Sequence, residues 1–292
     1  GMVPAAVVCN PDRPVGRKHI LAAPATKELI SKRKAQSAIF QPEDLLTICD
    51  SLRALRPDVF IIAAYAKIVP REILAIPRLG TIGVHPSLLP KYRGATPIQS
   101  AILAGETQTG VTLFMVDEKV DHGAVLATSH WPLATSENYE TLEQKLAELG
   151  GGLLVKTLPE FVAGKIKPVE QDHAQATFTK KFTTQDCFVE PADLARVQTG
   201  GGDIAAQIDR KIRALNPEPG VWSVEHETWN MKHEAPQREQ MKKRVKLLEA
   251  VLVNDAAMLP HSAMLHHSAG GKLKLLKIQR EGGKPLNLTR LH

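Results

Sequence analysis

Short continuous apolar runs along this chain alternate with segments in which apolar residues return every three or four positions. Ala5-Ala6-Val7-Val8-Cys9, Val59 to Ala64, Thr81 to Val84 and Gly110 to Val116 are runs of the first kind, each predicting a strand. Ala124 to Thr128 resumes extended structure after a turn. Thr26 to Ala35, Asp44 to Arg56 (Leu45, Leu46, Ile48, Leu52, Leu55), Arg71 to Ala75 and Thr96 to Leu103 carry the helical spacing. Leu142, Leu146, Leu149, Leu153, Leu154, Leu158 and Phe161 form one long helical face, with a break predicted at Gly150-Gly151-Gly152. This alternation predicts an α/β domain built on a parallel sheet.

The rhythm changes in the second half. Residues 164–190 are polar and irregular and read as a connection between domains. Ile204, Ile208, Ile212 and Leu215 put an amphipathic helix over 203–215, and Asn216-Pro-Glu-Pro-Gly220 ends it. Val221 to Glu225, Val245 to Val253 and Leu273 to Ile278 predict short strands of a small β domain. The predicted division is a catalytic domain over 1–175, a linker over 176–200 and a second domain over 201–292.

Composition narrows the class. With 292 residues, 43% hydrophobic and 23% charged, the chain has the length for about two domains and the apolar content for a sizeable core. No apolar run reaches the ~18 residues of a membrane span, and the start has no cationic segment leading into an apolar one. Cys9, Cys49 and Cys187 are isolated and odd in number, so they predict neither a disulfide frame nor a zinc site. They suit a reducing compartment, a bacterial cytosol or an organelle matrix. The net charge of +6 is unevenly spread. Residues 10–34 hold seven Lys or Arg against Asp12 and Glu28, and residues 190–292 hold sixteen against twelve acidic residues. Two basic regions flanking a nearly neutral middle suit a polyanion such as RNA as well as ordinary solvated surface.

The candidate chemistry lies at the ends of the predicted strands. His85 ends the Thr81 to Val84 run, and Pro86 and Pro90 stiffen the loop after it. In a parallel sheet this end would meet the segments Tyr65–Val69 and Asp117–Gly123, where ligands of such sheets bind. Asp121 beside His85 would fix the imidazole and favour its charged form. That pair suits attack of an amine on a carbonyl, which needs proton removal and stabilisation of an oxyanion. Taken alone, Asp117 and Asp121 read as turn residues, and His122 as an exposed residue following them. His261, His266 and His267 lack a carboxylate or cysteine at metal-binding spacing, so no metal is predicted. The basic loop Asn10 to Arg17, broken by Pro11, Pro14 and Gly16, suits contact with a phosphate backbone.

His85-Pro-Ser-Leu-Leu-Pro-Lys-Tyr-Arg-Gly94, Gly110-Val-Thr112 and Val120-Asp-His-Gly123 resemble the formyltransferases that use 10-formyltetrahydrofolate. Pro11 to Arg17, Arg213-Ala-Leu-Asn-Pro217, Leu275 to Gln279 and Gly283-Lys-Pro285 are similar to the methionyl-tRNA formyltransferase family in particular. The resemblance implies a Rossmann-like catalytic domain joined to a C-terminal barrel like an OB-fold. It implies transfer of a formyl group from the folate to the α-amine of initiator methionyl-tRNA, with no metal, no membrane and a monomeric enzyme. By the same resemblance His85 stabilises the oxyanion and Asp121 tunes it and relays protons. Tyr65, Ala66, Ile68, Val69, Ser87, Leu88, Leu89, Pro90, Asp117 and Val120 line the folate site. Arg13, Arg17, Lys18 and Arg213 contact the tRNA.

Two departures from the family accompany the likeness. Gly83 stands where the family has asparagine, and loss of one oxyanion donor typically costs ~10²–10³ in rate. The family also opens with a strand, a loop and a helix ahead of the segment matching Val3–Asn10, and without that strand two neighbours lose backbone pairing. Two other readings follow from these features: an inactive RNA- or folate-binding relative, and a formyltransferase acting on an amino-sugar nucleotide.

Overall fold

The computed structural model describes residues 3–15, 19–33, 36–65, 67–199, 202–224, 244–253 and 272–287. The chain forms two compact units, one of residues 1–91, 111–129 and 148–176, the other of residues 92–110, 130–147 and 177–292.

In the first unit, β1 (Ala6–Val8) is followed by a hairpin of β2 (Arg13–Val15) and β3 (Ile20–Ala22), so the basic loop carries short strands of its own. Asp12 accepts from Gln41 Nε2 at 2.7 Å and from Lys27 Nζ at 2.8 Å, which ties the base of this hairpin to α1 (Ala25–Lys32) and to the residue after β4 (Ala38–Phe40). β1 and β4 make a two-stranded parallel sheet. A 3-10 turn, Leu45–Ile48, opened by the Asp44 carboxylate on Leu46 N–H at 2.9 Å, leads into α2 (Cys49–Ala54). Leu45, Leu52 and Ile73 form one core, shared by Val8, Phe40 and Phe60 from three different strands.

A four-stranded sheet runs in the order β5 (Phe60–Ala63), β6 (Thr81–His85), β7 (Gln108–Met115), β8 (Val125–Pro132), with α3 (Arg71–Leu74) between β5 and β6 and α4 (Pro97–Ala104) between β6 and β7. β5 and β6 are parallel as the sequence predicts, but β6 and β7 are antiparallel, with His85 opposite Thr112 and Ile82 opposite Met115. The sheet is therefore mixed rather than parallel. Among the described residues β5 pairs only with β6 and β1 only with β4, which leaves one backbone edge of each unpaired.

α5 (Tyr139–Val162) passes without a break through Gly150-Gly151-Gly152, contrary to the sequence reading. The reason is packing. A Cβ at Gly150 would sit 3.1 Å from Val84 and 3.2 Å from Val111, so the glycine brings the helix close to the sheet. Further along, Leu153, Leu154, Leu158 and Phe161 cover the core of Ile82, Leu113 and Leu126.

In the second unit, the span that reads as a linker holds α6 (Pro191–Thr199), whose Leu194 and Val197 are buried. Its signals are present in the sequence: a proline at the first helical position and Asp193 in the first turn. α7 (Asp203–Leu215) packs against α4 and against a four-stranded antiparallel sheet, β9 (Trp222–Val224), β10 (Arg244–Val253), β11 (Lys272–Arg280) and β12 (Pro285–Asn287), ordered 12-11-10-9. Among the described residues this sheet is open and not a closed barrel.

Candidate active site

β6 is buried at Thr81, Ile82 and Gly83 and partly buried at Val84, and it delivers His85 with only 6% of the residue exposed. The chain turns at once, because Ser87 N–H donates to the His85 carbonyl at 2.9 Å. Ser87 Oγ then donates to the Lys91 carbonyl at 2.6 Å. Thr112, opposite His85 in the sheet and fully buried, holds this loop from below. Its hydroxyl donates to the Ser87 carbonyl at 2.7 Å and accepts from Leu89 N–H at 3.1 Å. Sequence reasoning gives Thr112 no part in the site, although Gly110-Val-Thr112 is among the motifs that carry the resemblance.

Asp121 reaches His85 by a route that the sequence does not predict. β7 runs antiparallel to β6, and Val116 N–H donates to the Thr81 carbonyl at the far end of β6 at 2.8 Å. The turn 117–123 then doubles back, so that Asp121 Oδ2 stands 3.6 Å from His85 Nδ1 with 21% of its side chain exposed. This is the distance of an ion pair rather than of a hydrogen bond. Asp121 itself sits at φ 45°, in the left-handed region that aspartate tolerates better than most residues. Asp117 stabilises the turn from within, accepting from Lys119 N–H at 2.9 Å and lying 2.7 Å from His122 Nδ1.

Gly83 faces a wall. A Cβ there would lie 2.4 Å from Cε1 and 2.6 Å from Cζ of Phe114, its partner across the sheet. Phe114 is 4% exposed and stands edge-on to the imidazole of His85, with centroids 6.4 Å apart and planes at 89°. The space in which a polar side chain at residue 83 would begin is filled by an aromatic ring.

The other flank of the site comes from the chain after β5. Arg71 and Glu118 form an ion pair at 3.3 Å, which joins this segment to the turn that carries Asp121. Tyr65 and Val69 turn inward onto the Leu45, Leu52 and Ile73 core. Burial, and then the neighbouring Cys9, pushes the Tyr65 phenol above its ordinary value. Ile68 is 94% exposed and Val120, next to Asp121 in the turn, 61% exposed, so both are bare apolar side chains. Leu88, Leu89 and Pro90 are half-buried. Ala66 lies outside the described residues.

Of the residues expected to bind RNA, Arg13 lies on the exposed face of β2, within 3.7 Å of Glu43. Arg17 and Lys18 lie outside the described residues, as do His261, His266 and His267. Arg213 turns inward, its Nε donating to Asp209 at 2.8 Å and its Nη1 to the Glu137 carbonyl at 2.7 Å, so its ties are within its own unit. On β10 and β11, Val245, Leu247 and Leu273 are buried while Lys246 and Lys274 alternate with them on the exposed face. Arg244 stacks over Trp222 at 4.2 Å. Among the described residues no cluster of histidine, cysteine and carboxylate has the arrangement of a metal site, and no helix is long and apolar enough to cross a membrane.

Residues 2–158 match the protein family described as Formyl transferase, and residues 202–291 match Formyl transferase, C-terminal domain. The methionyl-tRNA formyltransferase of Halorhodospira halophila is 40% identical over 222 residues, 76% of this chain and 68% of that protein. Two solved structures share the fold. HypX from Aquifex aeolicus in complex with tetrahydrofolic acid has a TM-score of 0.58 at 18% identity, covering 90% of this chain and 43% of that one. Methionyl-tRNA formyltransferase from Clostridium thermocellum has a TM-score of 0.52 at 17% identity, covering 85% of this chain and 91% of that one. The chain belongs to the methionyl-tRNA formyltransferase family.

Proposed function

We propose that this transferase moves the formyl group of 10-formyltetrahydrofolate to the α-amine of methionine on initiator tRNA. The observation that carries the reading is the approach of His85 and Asp121 to 3.6 Å from elements far apart in sequence. The new bond joins the amine nitrogen to the formyl carbon, and the bond to the folate nitrogen breaks. Between these events the formyl oxygen carries negative charge. His85 Nδ1 faces Asp121, so in the doubly protonated ring Nε2–H is the donor that we assign to this oxyanion. Asp121 orients the ring and balances its charge, and the amine proton passes through water near the carboxylate to the departing nitrogen.

The exposed Ile68 and Val120 suit the faces of a pterin ring, and the Ser87–Pro90 loop, held by Thr112, suits its hydrogen-bonding edge. Gly83 offers no side-chain donor, so we assign this site a chemical step ~10²–10³ slower than one with an amide at that place. The basic face of β10 and β11, in what we take to be a barrel of OB type, and the hairpin carrying Arg13 suit the tRNA backbone. A tRNA substrate suits the cytosol or an organelle matrix.

The test is transfer of labelled formyl from 10-formyltetrahydrofolate to methionyl-tRNA, with an amino-sugar nucleotide as the competing acceptor. Formylated methionyl-tRNA supports the reading, and label on the sugar alone refutes it. The combination of Gly83 with the Phe114 ring favours a second reading, a binding protein without turnover. It would hold tRNA with steep salt dependence and transfer nothing.

A further inference from the structure

We infer that Gln171 is a positioning residue for the reaction, setting the place of Asp121 by gripping the backbone of its turn. The inference rests on the assignment of His85 and Asp121 made above. Gln171 lies after α5, fifty residues from Asp121 in sequence, and is 7% exposed. Its amide nitrogen donates to the carbonyl of Asp121 at 3.0 Å and to the carbonyl of Gly123 at 2.7 Å. A primary amide carries two N–H donors, so one side chain can satisfy both carbonyls. Glutamate and methionine have the same reach and no such donors.

The surroundings show that this is a clamp rather than one stray bond. Val169 and Val125 exchange backbone hydrogen bonds at 2.7 and 2.8 Å. Two residues on, Gln171 holds 121 and 123, and two further on the ring of His173 stacks on His122 at 4.1 Å. The segment is thus anchored on both sides of Gln171, by the Val169–Val125 bridge before it and by His173, at the start of the 3-10 turn His173–Gln175, after it. The turn needs an external hold. Asp121 occupies a left-handed conformation, and such conformations persist only where neighbours over-determine them. Gly123 is pressed so closely on the Met115 carbonyl that a Cβ would come within 1.8 Å of its oxygen, which fixes the exit of the turn. Asp117 fixes its entrance. Gln171 acts between them, on the residue that meets His85.

The test compares Gln171→Met and Gln171→Glu with the unaltered protein. Steady-state formyl transfer is expected to show kcat lowered about tenfold to a hundredfold, as for a misplaced catalytic group, with KM for methionyl-tRNA unchanged. The second readout does not depend on activity. The imidazole NMR signal of His85 is expected to move in Gln171→Met in the direction in which Asp121→Asn moves it, and to stay put in the control Glu170→Gln. If Gln171→Met does not fold, Gln171→Asn, whose shorter arm loses at least one of the two carbonyls, takes its place in both measurements. Unchanged kcat together with an unmoved His85 signal overturns the inference. Should the unaltered protein transfer no formyl group, the assigned reaction fails, and the His85 signal alone decides whether Gln171 positions Asp121.

Discussion

Replacing Gly83 by asparagine would, by family resemblance alone, restore a missing oxyanion donor. The structure predicts the opposite. The first atom of any side chain at this position lies 2.4 Å from the Phe114 ring, where 3.4 Å or more is ordinary, so the ring must retreat by about 1 Å. Phe114 is 4% exposed and meets His85 edge-on, so a retreat presses on other buried atoms. Overpacking of this kind costs about 1–3 kcal/mol, and each kcal/mol lowers Tm by about 2–4 °C in a chain of this size. The displaced ring also pushes on the imidazole that it meets edge-on, so formyl transfer falls, by up to ~10² for a misplacement near 1 Å. Phe114→Ala alone opens a cavity and costs about 3–5 kcal/mol. Together the two changes relieve each other, with a coupling of about 0.5–3 kcal/mol. Urea unfolding of the four proteins of this double-mutant cycle gives the coupling, and labelled-formyl transfer gives the activity. Gly83→Asn with unchanged stability and faster transfer, or strictly additive effects, would refute the argument.

Other expectations follow from the same packing. Gly151 and Gly152 lie inside α5 with open space where a Cβ would stand, so Gly151→Ala and Gly152→Ala should each stabilise by about 0.5–1 kcal/mol in urea unfolding, and Gly150→Ala should not. Thr112→Val keeps the shape but leaves the Ser87 carbonyl and the Leu89 N–H without their buried partner. It should cost about 1–3 kcal/mol or more and raise KM for the folate, read from unfolding and steady-state kinetics. Hydrogen bonds from Gln41 and then Lys27 hold Asp12 below its ordinary value of 3.8. A depressed carboxylate stabilises the folded chain above its unfolded pKa and loses this as pH falls through the folded value. The stability lost in Asp12→Asn, measured by unfolding at a series of pH values, should therefore be full at neutral pH and shrink below about pH 4.

Much of the site is legible in the chain because its signals are local. The β-branched run before His85, the prolines after it and the turn residues around Asp121 are all written in short stretches. What the sequence does not show depends on pairing across distance. The direction of β7 relative to β6 is not encoded in either strand, so the sheet reads as parallel, and the way in which Asp121 arrives at His85 stays hidden. Gly83 reads as a lost donor, because the ring of Phe114 beside it comes from the partner strand. Gly150 reads as a helix breaker, since its close approach to Val84 and Val111 is a tertiary fact. α6 is legible yet easily passed over in a polar stretch: Pro191, Asp193, Leu194 and Val197 have the spacing of a helix start and its buried face. Gln171 and Thr112 carry no signal of their own, since an amide or hydroxyl in a polar or β-rich stretch becomes meaningful only once its partners are placed.

We assign formyl transfer to methionyl-tRNA to His85 and Asp121 acting together. Single-turnover transfer of labelled formyl from 10-formyltetrahydrofolate, measured for the unaltered chain, His85→Ala and Asp121→Asn, tests it most directly. Formylated methionyl-tRNA is expected from the unaltered chain, with rates lower by at least ~10² in both variants. Transfer by His85→Ala at the unaltered rate would contradict it.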